Sequence, residues 1–426
     1  MTLHILPLLD GKSHNVRPKP DFSLEGFVLN DRYSFLRKIG AGTYGLIYLV
    51  RDQVTGLELA AKMVMTEPHG AGSAANNKKY IQEKMYDYFA SHSPLQAQEL
   101  DLGLIARDGV SCSFLKEIAL HLKVHDHPNV VTIHHVFSLE RFAVVTLMDY
   151  FAQGDLFGNI IDNHIFLTRH HGKQLMMKNC MLQLIDAMEF CASRGVYHCD
   201  LKPENVMVRY DPSYRRPDAD ETGSRPIIDY QELHVSLIDF GLAMTSDLIC
   251  CNACRGSSFY MAPERIVNFN TSKLVRSLID MEQFVSDERA ESESSARYLP
   301  TLAGDVWSLG VLFINITCAR NPWPIANIND RHEVFSNYIL HNKSILQTIL
   351  PISKQFNAVL NEIFCLNPNE RISLADLRQR IVAVDFYHDG ASFNEQLCTP
   401  PTEPNSRPSS PKDIQGTGKG HHGSVC

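Results

Sequence analysis

The sequence predicts an α+β chain of two lobes, a small β-rich N-terminal lobe and a larger α-helical C-terminal one. Three observations carry that prediction. Between Tyr33 and Val64 short apolar runs alternate with turn residues, the pattern of strands. After Gly154 the apolar spacing lengthens to the helical period. The chain has 426 residues, 44% of them hydrophobic and 21% charged, so it holds enough apolar side chains for one large unit with insertions.

In chain order, residues 1–30 show no sustained periodicity and read as a leader. One domain of strands and helices would then run over 31–387, with its N-terminal lobe about 31–150 and its C-terminal lobe about 151–387. Leu46–Val50 reads as a strand, Asp52–Gly56 as a hairpin turn and Leu57–Val64 as the returning strand. Residues 66–110 read as a polar insertion ending in a short helix. Phe114–Val124 is helical, with Leu115, Ile118, Ala119 and Leu122 on one face. Val130–Phe137 and Phe142–Met148 are strands joined through Leu139-Glu140-Arg141. Leu175–Ser193 carries Met176, Cys180, Leu184, Ala187 and Phe190 at helical spacing. Polar stretches at 210–230 and 270–300 read as two further insertions. Helices resume at Asp305, and the Pro/Ser/Gly-rich tail 388–426 is expected to be disordered.

Composition excludes several classes of function. Forty Lys and Arg against 48 Asp and Glu leave a formal charge of −8, which offers no general attraction to nucleic acid or an anionic membrane. No stretch approaches the roughly 18 uninterrupted apolar residues of a membrane span. The apolar patch Leu3–Leu9 has no basic start and meets Asp10, so no secretory signal is expected. The final Gly-Ser-Val-Cys puts its cysteine at the wrong end for prenylation. Eleven cysteines, single apart from Cys250, Cys251 and Cys254, suit a reducing compartment. The expectation is a soluble monomer of the cytoplasm, with the nucleus left open.

Gly40-Ala41-Gly42-Thr43-Tyr44-Gly45 is followed by a strand, not a helix, so these glycines sit at the tip of a β-ribbon. There, missing Cβ atoms let backbone N–H groups approach phosphates. Lys62 on the returning strand places an ammonium beneath them, and Glu117 on the next helix is its candidate counter-charge. The strongest signal is Val196–Met207. Phosphoryl transfer to a hydroxyl needs a proton acceptor, a cation for the moving charge and an oxygen ligand for Mg²⁺, and Asp200, Lys202 and Asn205 supply them in that order. Asp239, in Leu237-Ile238-Asp239-Phe240-Gly241, adds a second hard oxygen ligand at the end of an apolar strand.

With these motifs in hand the chain resembles the eukaryotic protein kinase family over roughly Tyr33 to Phe386, interrupted by the three insertions. Ala262-Pro263-Glu264, Asp305-Val306-Trp307-Ser308-Leu309-Gly310 and Arg371 extend the likeness. The resemblance implies ATP and Mg²⁺ as cofactors and Ser/Thr-containing proteins as substrates. It implies that Ile39 and Ile47 cover the adenine, that Asp149-Tyr150-Phe151 is the hinge and that Met148 is the gatekeeper. Asp155 falls where the family often contacts ribose, though a helix N-cap is an equal reading. Asp-Leu-Lys-Pro-Glu-Asn, with Ser257 bridging the catalytic carboxylate and lysine, resembles the serine/threonine branch.

Most of the family has Arg just before the catalytic Asp, where this chain has Cys199. That departure implies an activation segment (the stretch from Asp239 to Glu264) that needs no phosphorylation. His-Cys-Asp with Gly-Ser-Ser-Phe-Tyr-Met-Ala-Pro-Glu resembles a fungal subgroup that includes meiosis-repressing and glucose-limitation-responsive kinases, implying a role in nutrient or developmental signalling. The rival readings are a pseudokinase scaffold, which has no need of Lys62, Asp200, Asn205 and Asp239 together, and a small-molecule kinase, which would lack the Ala-Pro-Glu segment. Cys251 and Cys254 are read as ordinary reduced thiols, with a redox role for Cys254 beside Arg255 the alternative. The pairs His134-His135, His170-His171 and His421-His422 show no defensible ligand geometry.

In the family the glutamate of Ala-Pro-Glu and the later arginine form a buried ion pair, so Glu264 is expected to pair with Arg371. Half-removing a buried pair costs roughly 3–5 kcal/mol, and Arg371→Ala should lower the unfolding free energy by that amount in a denaturant titration.

Overall fold

A computed structural model describes residues 22–42, 45–66, 74–166, 172–215, 228–251, 253–286, 296–328 and 333–387. Most of the expected leader, Thr43-Tyr44, the bulk of the 210–230 insertion, His170-His171 and the whole 388–426 tail with His421-His422 lie outside the described residues.

The N-terminal lobe is built on one antiparallel sheet. Its strands are β1 (Val28–Leu29), β2 (Tyr33–Ala41), β3 (Gly45–Asp52), β4 (Glu58–Met65), β5 (Gln98–Glu99), β6 (Ile133–Leu139) and β7 (Ala143–Asp149), in the order β1-β2-β3-β4-β7-β6-β5. Strand alternation gives the sheet two working faces. Leu59, Ala61 and Met63 of β4 point outward into one apolar cluster. Ala60 and Lys62 therefore point the other way, toward the cleft.

Two expectations are corrected here. The end of the supposed leader is part of the sheet: Leu24 and Leu29 are fully buried, and β1 pairs with β2. The insertion at 66–110 is not a polar interruption either. It contains α1 (Ala74–Ser91), whose Ile81, Met85 and Phe89 recur every four residues and are fully buried against Phe35, Tyr48 and Met63 on the outer face. Its polar residues had masked that stripe. The insertion then adds β5 to the sheet edge and α2 (Leu102–Asp108), capped by Asp101. Against the inner face lie α2 and α3 (Lys116–Leu122), where Ile105, Ala119 and Leu122 meet Ile133, Val136 and Val144. The sheet is thus covered on both sides.

The C-terminal lobe is helical. It comprises α4 (Leu156–Ile161), α5 (Gly172–Ser193), the ladder of β8 (Val206–Arg209) with β9 (His234–Leu237), β10 (Leu248–Cys250), α6 (Lys273–Leu278), β11 (Val285–Ser286), β12 (Arg297–Pro300), α7 (Thr301–Cys318), α8 (Glu333–Leu340), α9 (Ile345–Ile349), α10 (Lys354–Ile363) and α11 (Leu374–Ala383). Helix α7 is long and apolar enough to cross a membrane, but 94% of it is buried inside the lobe, so it is the core helix around which the others pack. The insertion at 270–300 is structured in its described parts. It supplies α6, β11 and β12, and β12 pairs antiparallel with β10, a strand of the activation segment.

Phe89 meets the rings of Phe35 and Phe27 edge-on at 5.3 and 5.7 Å. Phe89→Ala should cost about 3–5 kcal/mol of unfolding free energy, as for other buried aromatics. A denaturation midpoint equal to the parent's would show that α1 is not part of the cooperative core.

Candidate active site

Cross-strand register sets the upper wall of the cleft. Gly40 pairs with Ile47 and Ile47 with Lys62, which stacks the glycine loop, Ile39–Ile47 and the lysine along one inner face. Gly45 has to be glycine, because a Cβ there would lie 2.0 Å from the Met63 carbonyl oxygen. A Cβ on Gly42 would meet nothing within 4 Å among the described residues.

Lys62 Nζ bonds Glu117 Oε1 at 2.5 Å. Burial opposes the ammonium charge, but Glu117 and Asp239 outweigh it and raise the lysine above its ordinary value. Lys62 is therefore a fixed cation, anchored by the first turn of α3 and drawn toward Asp239.

The lower wall is the loop around Asp200. Asp200 Oδ1 accepts from the Ser257 backbone N–H at 2.8 Å and its hydroxyl at 2.7 Å; Oδ2 accepts from Lys202 Nζ at 2.7 Å. Lys202 also donates to Ser257 Oγ at 2.9 Å. Burial would raise the Asp200 carboxyl, but the bonds from Lys202 and Ser257 prevail and hold it below the usual carboxylate value. It is an ionised acceptor whose two lone-pair fronts are aimed by named donors.

Asn205 gives its amide hydrogens to the Asp200 carbonyl at 2.9 Å and to Oδ2 at 3.3 Å, so Oδ1 is its remaining acceptor end. The Asn205 carbonyl accepts from Ile238 N–H at 3.0 Å, and Val206 pairs with Leu237. This register delivers Asp239 to the mouth of the same ladder. The backbone of Asp239 is left-handed, with φ of 64°, which turns its carboxylate out of the strand into exposure. One carboxamide oxygen and one carboxylate fit a Mg²⁺ ion that keeps phosphate and water ligands.

His198 joins the two loops. Its Nδ1 accepts from Asp200 N–H at 3.3 Å, so Nε2 carries the hydrogen and donates to the Ile238 carbonyl at 3.0 Å. Phe240 packs between His198 and His121, with ring centroids 5.0 and 4.8 Å away.

The residues expected to form the hinge stand at the end of β7 and just beyond it. Ala60 pairs with Met148 and Leu59 with Asp149. The Asp149 carboxylate is taken from behind by His134 Nε2 at 2.7 Å, and this bond, overriding burial, lowers its pKa. The Phe151 ring is buried beneath the Arg209 guanidinium, 4.5 Å from its centroid, so Phe151 can face a nucleotide only through its backbone. Asp155 realises the capping reading: its Oδ1 accepts from Gly158 N–H at 2.8 Å at the start of α4.

Glu264 and Arg371 pair through two bonds of 2.6 and 3.1 Å, with Arg371 also donating to the Ala303 carbonyl. Cys251 is buried with its thiol on Asn268, whereas Cys254 is exposed. His134 and His135 bond Asp149 and Glu99, as carboxylate partners of the sheet.

Three residues of the site escaped the sequence reading. His121 lies four residues after Glu117, which puts it on the same helix face, but the apolar stripe drew attention elsewhere. Asp305 was visible only as part of a motif. Arg265 carried no signal beyond following Glu264.

Residues 105–382 match the protein kinase domain. The chain is 33% identical to the serine/threonine-protein kinase VHS1 of Saccharomyces cerevisiae and 34% identical to the serine/threonine-protein kinase SKS1 of the same organism, each over 84% of this chain. It is 36% identical, over 85% of its length, to the negative regulator of sexual conjugation and meiosis of Schizosaccharomyces pombe. The matches span 72, 66 and 62% of those relatives. All three are fungal proteins, in keeping with the subgroup the motifs resemble.

Burial holds the His121 imidazole down at about 3, with His125, Lys62 and His198 acting the same way and the bond to the Val131 carbonyl opposing. The unfolded chain takes up this proton near pH 6.5 and the native state does not. The His121 contribution is therefore intact above about pH 6.5 and is lost as pH falls toward 3. Between pH 7 and 4.5 the parent should lose roughly 2–3 kcal/mol more unfolding free energy than His121→Gln. Urea titrations of both proteins at the two pH values measure this, and equal losses would contradict it.

Proposed function

The chain belongs to the protein kinase family and is a serine/threonine kinase; from that premise we propose that it carries the γ-phosphate of ATP to Ser and Thr hydroxyls of protein substrates, using Asp200 as proton acceptor. The observation that carries the reading is the four-point contact on Asp200. Its Oδ1 already holds a serine hydroxyl at 2.7 Å, that of Ser257, in the manner an incoming substrate hydroxyl would require.

In this reading Asp200 accepts the proton of the attacking hydroxyl. Lys202, within reach of both Asp200 and Ser257, offers its charge to the phosphoryl oxygens during transfer. Lys62, pinned by Glu117, orients the nucleotide's phosphates from above. Asn205 Oδ1 and the Asp239 carboxylate would hold Mg²⁺, which neutralises charge on the phosphates when bound. Gly40, Gly42 and Gly45 keep side chains out of the phosphate path, and Ile39 and Ile47 cover the base. The Asp149–Phe151 hinge would meet the adenine edge through its backbone. Asp155 has its second carboxylate oxygen for ribose while Oδ1 caps α4.

We further propose that the protein works as a monomer in nutrient or developmental signalling, in the cytoplasm with access to the nucleus, and without nucleic-acid or membrane partners. Its mostly single, scattered cysteines and net charge of −8 support that setting. The relationship to a regulator of conjugation and meiosis supports the signalling role.

Full-length protein incubated with labelled ATP, Mg²⁺ and a degenerate Ser/Thr peptide array should label peptides. Asp200→Asn should reduce turnover by about 10²- to 10⁴-fold. Absence of transfer to every peptide would overturn the assignment of activity; transfer unaffected by Asp200→Asn would overturn the role given to that carboxylate.

A further inference from the structure

Arg265 closes the short helical turn Pro263–Arg265 and is only 3% exposed. A buried guanidinium needs partners; its two terminal nitrogens each meet an oxygen, while Nε has no hydrogen-bond partner among the described residues. Nη1 meets Asp305 Oδ1 at 3.3 Å, and Nη2 donates to the Thr301 carbonyl at 2.7 Å. Space has been made for it. A Cβ on Gly304 would sit 2.4 Å from Arg265 Cζ and Nε, so only glycine fits under the guanidinium.

Each partner leads to a different part of the site. The Asp305 carboxylate accepts the backbone N–H groups of His198 and Cys199, both at 3.0 Å, immediately before Asp200. Cys199 stands in left-handed backbone, with φ of 63°, a conformation a non-glycine residue holds only when its surroundings impose it. Thr301 leads to the activation segment. Its N–H donates to the Asp247 carbonyl at 2.8 Å and its hydroxyl to the Ser246 carbonyl at 2.9 Å. From there the β10–β12 ladder pairs Leu248, Ile249 and Cys250 with Pro300, Leu299 and Tyr298. Cys251 N–H on the Arg297 carbonyl continues it.

We infer that Arg265 is a positioning residue for phosphoryl transfer: its guanidinium, charge-paired with Asp305 and bonded to Thr301, ties the loop carrying Asp200 to the strand pair carrying the activation segment, so that the segment stays in place without a phosphate. The inference rests on the kinase reading above. It assigns to a cation inside the fold, with its counter-charge already present, the bracing of a segment whose Ser257 is seated on Asp200. No added anion is required, because Asp305 completes the pair.

Two measurements on the full chain test it, one independent of activity. Hydrogen exchange should show residues 197–202 and 246–251 both opening at least about tenfold faster in Arg265→Met than in the parent, with β4 and α1 unchanged. In peptide assays Arg265→Met should lower kcat at least about tenfold while KM for ATP stays within about twofold, and Arg265→Lys should recover part of kcat. The parent, stripped of phosphate and freed of phosphatase, should keep its turnover. Faster exchange confined to 263–266, an unchanged kcat in Arg265→Met, or loss of turnover on dephosphorylation would each overturn the inference. If Arg265→Met does not fold, Arg265→Lys carries the same exchange test. A parent that transfers no phosphate would instead refute the kinase reading, while the exchange data would still report on the tether.

Discussion

A single buried carboxylate, Asp305, holds the catalytic loop by its backbone, and most of the lower cleft follows from that attachment. The two N–H groups it accepts, from His198 and Cys199, belong to the residues that aim Asp200. With those amides fixed, His198 can bond both Asp200 N–H and the Ile238 carbonyl, and Asn205 can meet Ile238 N–H. Asp200, Asn205 and the strand that leads to Asp239 thus share one backbone frame. A side-chain anchor alone would leave the loop free to rotate about its own φ and ψ. Fixing main-chain donors removes that freedom before any substrate arrives.

The upper cleft is held by different means. Lys62 belongs to a strand with neighbours on both sides, and Glu117 to a helix packed against the inner face of the sheet. Their ion pair therefore reports on the docking of α3 as well as on local charge. Partial burial strengthens it relative to a surface pair, because water screens it less. On the outer face α1 completes the enclosure.

The candidate site was legible wherever its residues are close in sequence. Asp200, Lys202 and Asn205 lie within six positions, and each side-chain type has few other reasons to occur in that order. The fold class was legible for a similar reason, since strand and helix periods are local. Long-range roles were not. Lys62 and Glu117 lie 55 positions apart, and their placement on a strand and a later helix made them only a candidate pair. Helix α1 was hidden because Ile81, Met85 and Phe89 are spaced among Gln82, Glu83, Lys84 and Asp87. The short strands β5 and β11 form only because a neighbouring strand offers open backbone groups. Arg265 was out of reach altogether: a buried arginine acquires meaning only from the glycine it lies on and the carboxylate it meets.

The stretch between Lys62 and Glu117 also bears on how such chains diverge. Closing a loop costs entropy that grows only logarithmically, about 0.6 kcal/mol for each doubling of length, so the ion pair tolerates a long excursion between its members. Here the excursion returns that cost by burying three large apolar side chains. It also separates the glycine ribbon from the rest of the domain in sequence, and the family match begins only at residue 105. A lengthened connection has become a supporting wall for the very strands that it parts from the rest of the domain in sequence.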